Sequence, residues 1–171
     1  VCLNYHVLAD VDINNKFAKK LLADKDISQY KEEAAVPVEF GDLPISAPPI
    51  VIGAGPAGLL AALELAKYGY KPLLLERGKT VAQRVEDVKR FWQTGAFNPA
   101  SNVQFGEGGA GTFSDGKLTT RVNDPVMKDI LETFVAAGAP ENILWEHKPH
   151  VGTDKLRAMV TGLSKQIVAY G

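Results

Sequence analysis

At 171 residues, the chain is long enough for one ordinary domain with a small appendage. Hydrophobic residues make up 46% and charged residues 23%, and a net charge of −1 argues against nucleic acid as the main partner. A single cysteine, Cys2, excludes an internal disulfide or a CxxC zinc pair, and no apolar run approaches the ~20 residues that span a bilayer.

Residues 1–10 lack the basic-then-apolar order of a signal peptide, so a reducing, cytoplasmic setting is expected. The sequence starts at Val1 without a methionine and stops directly after a helical pattern, as a piece of a longer polypeptide would.

Val1, Leu3, Tyr5 and Val7 alternate as in a half-buried strand. Phe17, Leu21 and Leu22 follow at helical spacing, with Asn14 or Asn15 as N-cap, and Val36 to Phe40 reads as another strand. Residues 1–44 are therefore expected to form a small α+β appendage with its linker. Gly41 to Pro49, with three prolines and one glycine, marks the boundary.

Ile50–Val51–Ile52 is apolar on both faces, the pattern of a strand inside a parallel sheet. Leu59, Leu60, Leu63 and Ala66 then repeat at helical spacing from Pro56 to Tyr68, with Gly69 as a stop. Pro72 to Leu75 reads as a second buried strand ending at Glu76. Strand, helix and strand in this order predict a right-handed βαβ unit. The fold class expected is α/β, a Rossmann-like parallel sheet that is incomplete in this chain.

Further helices are expected from Thr80 to Thr94, with Val81, Val85, Val88 and Trp92 on one face, and from Asp124–Pro125 to Gly138. Phe91 and Trp92 read as core residues. A last helix follows Thr153 or Asp154 with Leu156, Met159, Val160, Leu163 and Ile167. Between them, Asn98 to Thr119 is a long glycine-rich and polar segment.

Gly53–Ala54–Gly55–Pro56–Ala57–Gly58 fits G-x-G-x-x-G. Gly53 permits the tight turn, Gly55 a close approach to a pyrophosphate, and Gly58 close helix–sheet packing. The helix N-terminus that follows presents unpaired N–H groups to the phosphates. Pro56 fits the first helical position, where its missing N–H has no intrahelical partner. Glu76 comes 23 residues after Gly53, near the ~20 expected for a carboxylate on the adenosine ribose, and would repel a 2′-phosphate. This favours FAD or NAD over NADP.

The second segment, Gly106 to Gly116, holds five glycines in eleven residues and can turn several N–H groups toward a polar ligand. Gly108, Gly109, Gly111 and Thr112 are its candidate binding residues, with Ser114, Lys117 and Arg121 nearby. Glu107 and Asp115 read as loop caps or solvated acids. His147 and His150, split by Lys148–Pro149, do not share a helix face, so no metal site is expected.

The segment "PPIVIGAGPAGLLAALELAKYGYKPLLLERG" resembles the FAD-binding entry of the glutathione-reductase-like flavoproteins. "SNVQFGEGGAGTFSDGKLTTR", with "FWQTGAFNP" and "KPHVGTDKLR", resembles bacterial FAD-dependent dehydrogenases of largely unassigned substrate. The resemblance covers Ile45 to Gly171 and implies that these residues are the first part of an FAD-binding domain. It implies that Gly53, Gly55 and Gly58 hold the pyrophosphate and Glu76 the ribose. It further implies that Arg77 and Arg84 add charge near the phosphates, and that Gly106 to Ser114 approaches the flavin.

One departure from the family pattern is plain. The later strand ending in Gly-Asp that contacts the ribityl chain in this superfamily is missing, and the sole Gly-Asp, Gly41–Asp42, lies upstream. The expected activity is oxidoreduction through FAD on a small-molecule substrate, with NAD(P)H as candidate electron donor, no catalytic side chain in this chain, and no nucleic-acid or membrane partner. An NAD-dependent dehydrogenase and a non-catalytic dinucleotide-binding fragment are the alternatives.

Overall fold

A computed structural model describes residues 5–12, 14, 17–31, 44–120, 122 and 124–171. Two compact units divide the chain, Val1–Glu39 and Phe40–Gly171. Among the described residues of the first unit, one helical turn, α1 (Ala18–Leu21), buries Ala18. Tyr5 and Val7, expected in a half-buried strand, lie in irregular chain and are 78% and 81% exposed. Alternation makes a strand only where a ladder partner exists. The remaining strand expectations, at Val1, Leu3 and Val36 to Phe40, fall outside the described residues.

In the second unit β1 (Ile50–Ile52) leads into α2 (Pro56–Lys67) and β2 (Leu73–Leu75). The strands pair in parallel, with Ile50 opposite Leu73 and Ile52 opposite Leu75. Gly53 extends the ladder by donating its N–H to the Leu75 carbonyl at 2.7 Å. Val51 and Leu74 point toward the core, whereas Ile50, Ile52, Leu73 and Leu75 are 45–85% exposed on the other face. The sequence pattern suggested burial on both faces; only the inner face is covered in the structure.

α2 opens on Gly55 in extended backbone with Pro56 at its first position. It closes before Gly69, whose positive φ of 81° lets its N–H return to the Ala66 carbonyl. α3 (Val81–Thr94) is bounded by Thr80, with Gln83 reaching back to the Thr80 N–H, and by left-handed Gly95. Its buried residues are Val81, Arg84, Asp87 and Val88, while Val85 is half-buried and Trp92 is 68% exposed. The expected apolar stripe is thus corrected: the helix outruns the core after Val88. Phe91 and Phe97 instead meet edge to face at 5.7 Å.

A single 3₁₀ turn (Ala110–Phe113) interrupts the glycine-rich segment. α4 (Val126–Ala136) starts where Asp124 accepts the Val126 N–H at 2.9 Å, and a second 3₁₀ turn (Glu141–Leu144) buries Ile143. α5 (Thr153–Tyr170) packs its Leu156, Met159, Val160, Leu163, Ile167 stripe into the core. Leu59 and Leu63 of α2 and Leu163 of α5 are each 1% exposed or less. Such burial stabilises by about 1.5–3 kcal/mol per leucine. A Cβ at Gly162 would strike the Ala137 carbonyl, so glycine there lets α5 lie against the end of α4.

Asp87 joins α3 to its surroundings. Its carboxylate meets Lys79 at 2.8 Å and Arg90 at 2.9 Å, and the Lys79 ammonium holds it below the usual carboxylate range. A depressed folded-state pKa contributes stability that is complete above the unfolded value and lost as pH falls below it. Asp87→Asn is therefore expected to flatten the acid limb of the stability profile below about pH 4. Urea unfolding across pH 3 to 7 checks this; an unchanged acid limb would refute it.

Candidate dinucleotide site

The turn between β1 and α2 is shaped by what a side chain would strike. A Cβ at Gly58 would overlap the Gly53 carbonyl oxygen, so the first turn of α2 passes under β1 only with glycine there. Gly53 has a φ of +98°, and a Cβ at Gly53 or Gly55 would meet nothing within 4 Å. Open space therefore lies beside the loop where a ligand backbone could approach. The first-turn N–H groups of α2 have no intrahelical acceptors, and the partial positive charge of the helix end faces the same region. Ala54 is buried, while Pro56 and Ala57 are exposed.

Glu76 sits at the end of β2 and closes the loop from the other side. One carboxylate oxygen accepts the Ala54 N–H at 2.8 Å and the other the Gly78 N–H at 2.7 Å. Glu76→Gln keeps one acceptor and replaces the other with a donor, so a loop N–H loses its partner. We expect a loss of about 1.5–3 kcal/mol in denaturant unfolding, the worth of a hydrogen bond to a charged group. A variant as stable as the parent would show that the carboxylate does not order the loop.

The second glycine segment docks on this first one. Gly108 donates its N–H to the Ala54 carbonyl at 2.7 Å, and Glu107 donates its N–H to the Lys79 carbonyl at 3.0 Å. A Cβ at Gly109 would touch Gly55 and Pro56 at 3.5 Å. Gly78 comes so near Gly106 that a Cβ at Gly78 would strike its Cα. Gly108, Gly109 and the G-x-G-x-x-G turn are thus neighbours. Gly111 is exposed, and Thr112 is fully buried.

Of the two arginines expected near the phosphates, Arg77 is exposed and Arg84 is buried. The Arg77 guanidinium lies 5.5 Å from the Phe105 ring centre. Arg84, expected to add charge near the phosphates, is fully buried. Its Nε and Nη2 donate to the Asn102 carbonyl at 3.2 and 2.9 Å, and Nη2 also to that of Val103 at 3.1 Å. Nη1 faces the carbonyls of Gly106, Glu107 and Gly109 and the Thr112 hydroxyl. Burial pushes the guanidinium pKa down, and Glu76 and Glu107 pull it back up. Arg84 and Arg157 also lie 4.9 and 5.0 Å from the centre of the Phe113 ring.

Glu107, expected as a loop cap or solvated acid, has a more specific place. Its carboxylate caps α3, accepting the Val81 N–H at 2.7 Å, and takes the Ser164 hydroxyl of α5 at 2.5 Å. The signal for this was available in part, because an acid suits a helix N-terminus. Ser164 had no signal. His150 bridges antiparallel to Lys117, and Asp115 pairs with Lys117 at 3.4 Å. Among the described residues no group of three metal-ligating side chains converges, and no helix is long and apolar enough to cross a membrane. A cleft of about 730 Å³ opens beside the loop, lined by Ala54, Leu74, Glu76, Lys79, Glu107 and Ile167, among others.

Comparison with known proteins agrees with this geometry. Residues 51–114, which span β1 to the first 3₁₀ turn, match the family described as NAD(P)-binding Rossmann-like domain. A protein of Clostridium beijerinckii (strain ATCC 51743 / NCIMB 8052), described as an uncharacterized protein, is 48% identical over 164 residues. That similarity covers 94% of this chain and 31% of the relative, so the chain spans about a third of that protein's length. The parallel strand pair, the glycine turn and the matched segment together make this a mixed α/β chain with an incomplete Rossmann-like fold.

Proposed function

We propose that residues 45–171 are the first part of the FAD-binding domain of an FAD-dependent oxidoreductase. In this reading residues 1–44 form an appendage, and the protein works in the cytoplasm on a small-molecule substrate with NAD(P)H as a candidate donor. The observation that carries the reading is the docking of the second glycine loop on the first, through the Gly108 N–H and the Ala54 carbonyl at 2.7 Å. A simple NAD site accounts for Gly53 to Glu76 and leaves that second loop without a task.

The residues fit the cofactor. Gly53 and Gly55 border open space, Gly58 admits the helix end, and the N–H groups of α2 suit a pyrophosphate. Glu76 is proposed for the adenosine ribose, since a carboxylate holding two N–H groups at 2.8 and 2.7 Å still has lone pairs for hydroxyls. Gly108, Gly109 and Gly111 are proposed to follow the ligand beyond the pyrophosphate, with Thr112 behind them. When bound, the flavin supplies the redox chemistry, and the chain binds and orients it and keeps water from it.

The second reading, an NAD-dependent enzyme, draws on the matched family, which is NAD(P)-binding by description. Thermal unfolding of the full chain with FAD, NAD or neither separates the two, since a ligand selective for the folded state raises the midpoint. FAD is expected to stabilise more than NAD at equal concentration. Stabilisation by NAD alone would establish the second reading, and by neither, a non-catalytic segment.

A further inference from the structure

We propose that Arg84 is a positioning residue that couples the two glycine loops, so that its guanidinium governs dinucleotide affinity without touching the ligand. The inference rests on the dinucleotide reading above. It begins from an oddity of burial: arginine is among the residues least often fully enclosed, and this one is 0% exposed. Among the described residues no carboxylate pairs with it, and its partners are backbone carbonyls and one hydroxyl of the 102–112 segment.

The coupling follows from peptide geometry. In a trans peptide the C=O and the next residue's N–H point in opposite directions. Drawing the Glu107 carbonyl to Nη1 therefore turns the Gly108 N–H outward, where it meets the Ala54 carbonyl of the nucleotide turn at 2.7 Å. Drawing in the Gly106 carbonyl likewise turns the Glu107 N–H to Lys79 at 3.0 Å. One planar fork thus sets the two hydrogen bonds that seat the second loop on the first. Glycine is required where the fork approaches, because a Cβ at Gly106 would strike the Arg84 side chain, and one at Gly108 the Thr112 hydroxyl. A lysine ammonium, a point charge on a flexible stem, cannot hold these carbonyls in one fixed fork.

The test uses the full chain with Arg84→Lys and, as a milder change, Thr112→Val, which removes one of the fork's partners. FAD affinity is followed by flavin fluorescence, and backbone hydrogen exchange is mapped by mass spectrometry. In Arg84→Lys, exchange is expected to rise at least about tenfold in residues 104–113, which include the Glu107 and Gly108 N–H groups, while the α2–α5 core keeps its protection. The FAD dissociation constant should rise at least about tenfold in parallel, the scale of losing one charge-assisted hydrogen-bond set.

A merely structural arginine would loosen the core and the loop together, and that pattern would overturn the inference. So would a loosened loop with FAD affinity within about twofold of the parent, or a loop whose exchange does not change. If Arg84→Lys does not fold, Thr112→Val decides: loop-confined exchange with weaker FAD binding supports the coupling, and parental values overturn it. A parent chain that binds neither FAD nor NAD overturns the dinucleotide reading and the affinity half of the inference, while the exchange map still decides whether Arg84 joins the loops.

Discussion

Gly58→Ala is expected to cost about 2–3 kcal/mol of stability and to weaken dinucleotide binding by at least about tenfold. The added methyl group would overlap the Gly53 carbonyl oxygen and press its carbon at 3.1 Å. Both obstacles are backbone, so no side-chain rotation relieves them. Either the first turn of α2 lifts away from β1, or Gly53 shifts and its 2.7 Å hydrogen bond to Leu75 breaks. In both cases the N–H groups of the helix end no longer face the open side of the loop. Urea unfolding and FAD titration of the same preparation check the two effects. A fully stable variant with parental affinity would show that the loop accommodates a side chain and that glycine is not required there.

The larger loss is expected from Arg84→Met, about 3–5 kcal/mol, the scale of leaving several buried carbonyls without a donor in a loop that partly relaxes. Methionine fills much of the space but donates nothing. The carbonyls of Asn102, Val103, Gly106, Glu107 and Gly109 would each face an apolar chain, and an unsatisfied buried acceptor costs about 1–3 kcal/mol. Full expression of that penalty is tempered by relaxation of the loop toward water. Denaturant unfolding followed by Trp92 and Trp145 fluorescence measures the outcome. A loss under about 1 kcal/mol would mean that the loop finds other donors and that Arg84 is dispensable.

The parts of the fold written in local spacing could be read directly from the residues. The β1–α2–β2 order, the ends of α3 at Thr80 and Gly95, the Asp124 cap and the α5 stripe all rest on signals within a few residues. The same holds for Glu76, whose place at a strand end follows from the βαβ pattern. What the sequence concealed lies in long-range backbone bonding. Arg84 reaches carbonyls 18 to 25 residues away, and Glu107 caps a helix that begins 26 residues earlier. A carbonyl carries no side-chain identity, so no residue pattern announces that it will be an acceptor. Trp92 misled for a different reason, since periodicity tells which face a residue occupies but not how far the core extends along the helix.

The packing of α2 against α5 has a consequence for how the chain acquires its structure. Leu59 and Leu63 find their cover on a helix that begins only at Thr153. Local contacts can form β1, α2 and β2 early, but closing the loop from Tyr68 to Gly152 must precede burial of their shared face. During synthesis at ~5–20 residues per second, α2 waits on the order of ten seconds for its partner to emerge. Through that interval its apolar stripe is open to chaperones and to neighbouring nascent chains. This face is thus covered only once α5 arrives, and the glycine turn gains its rigid footing only then.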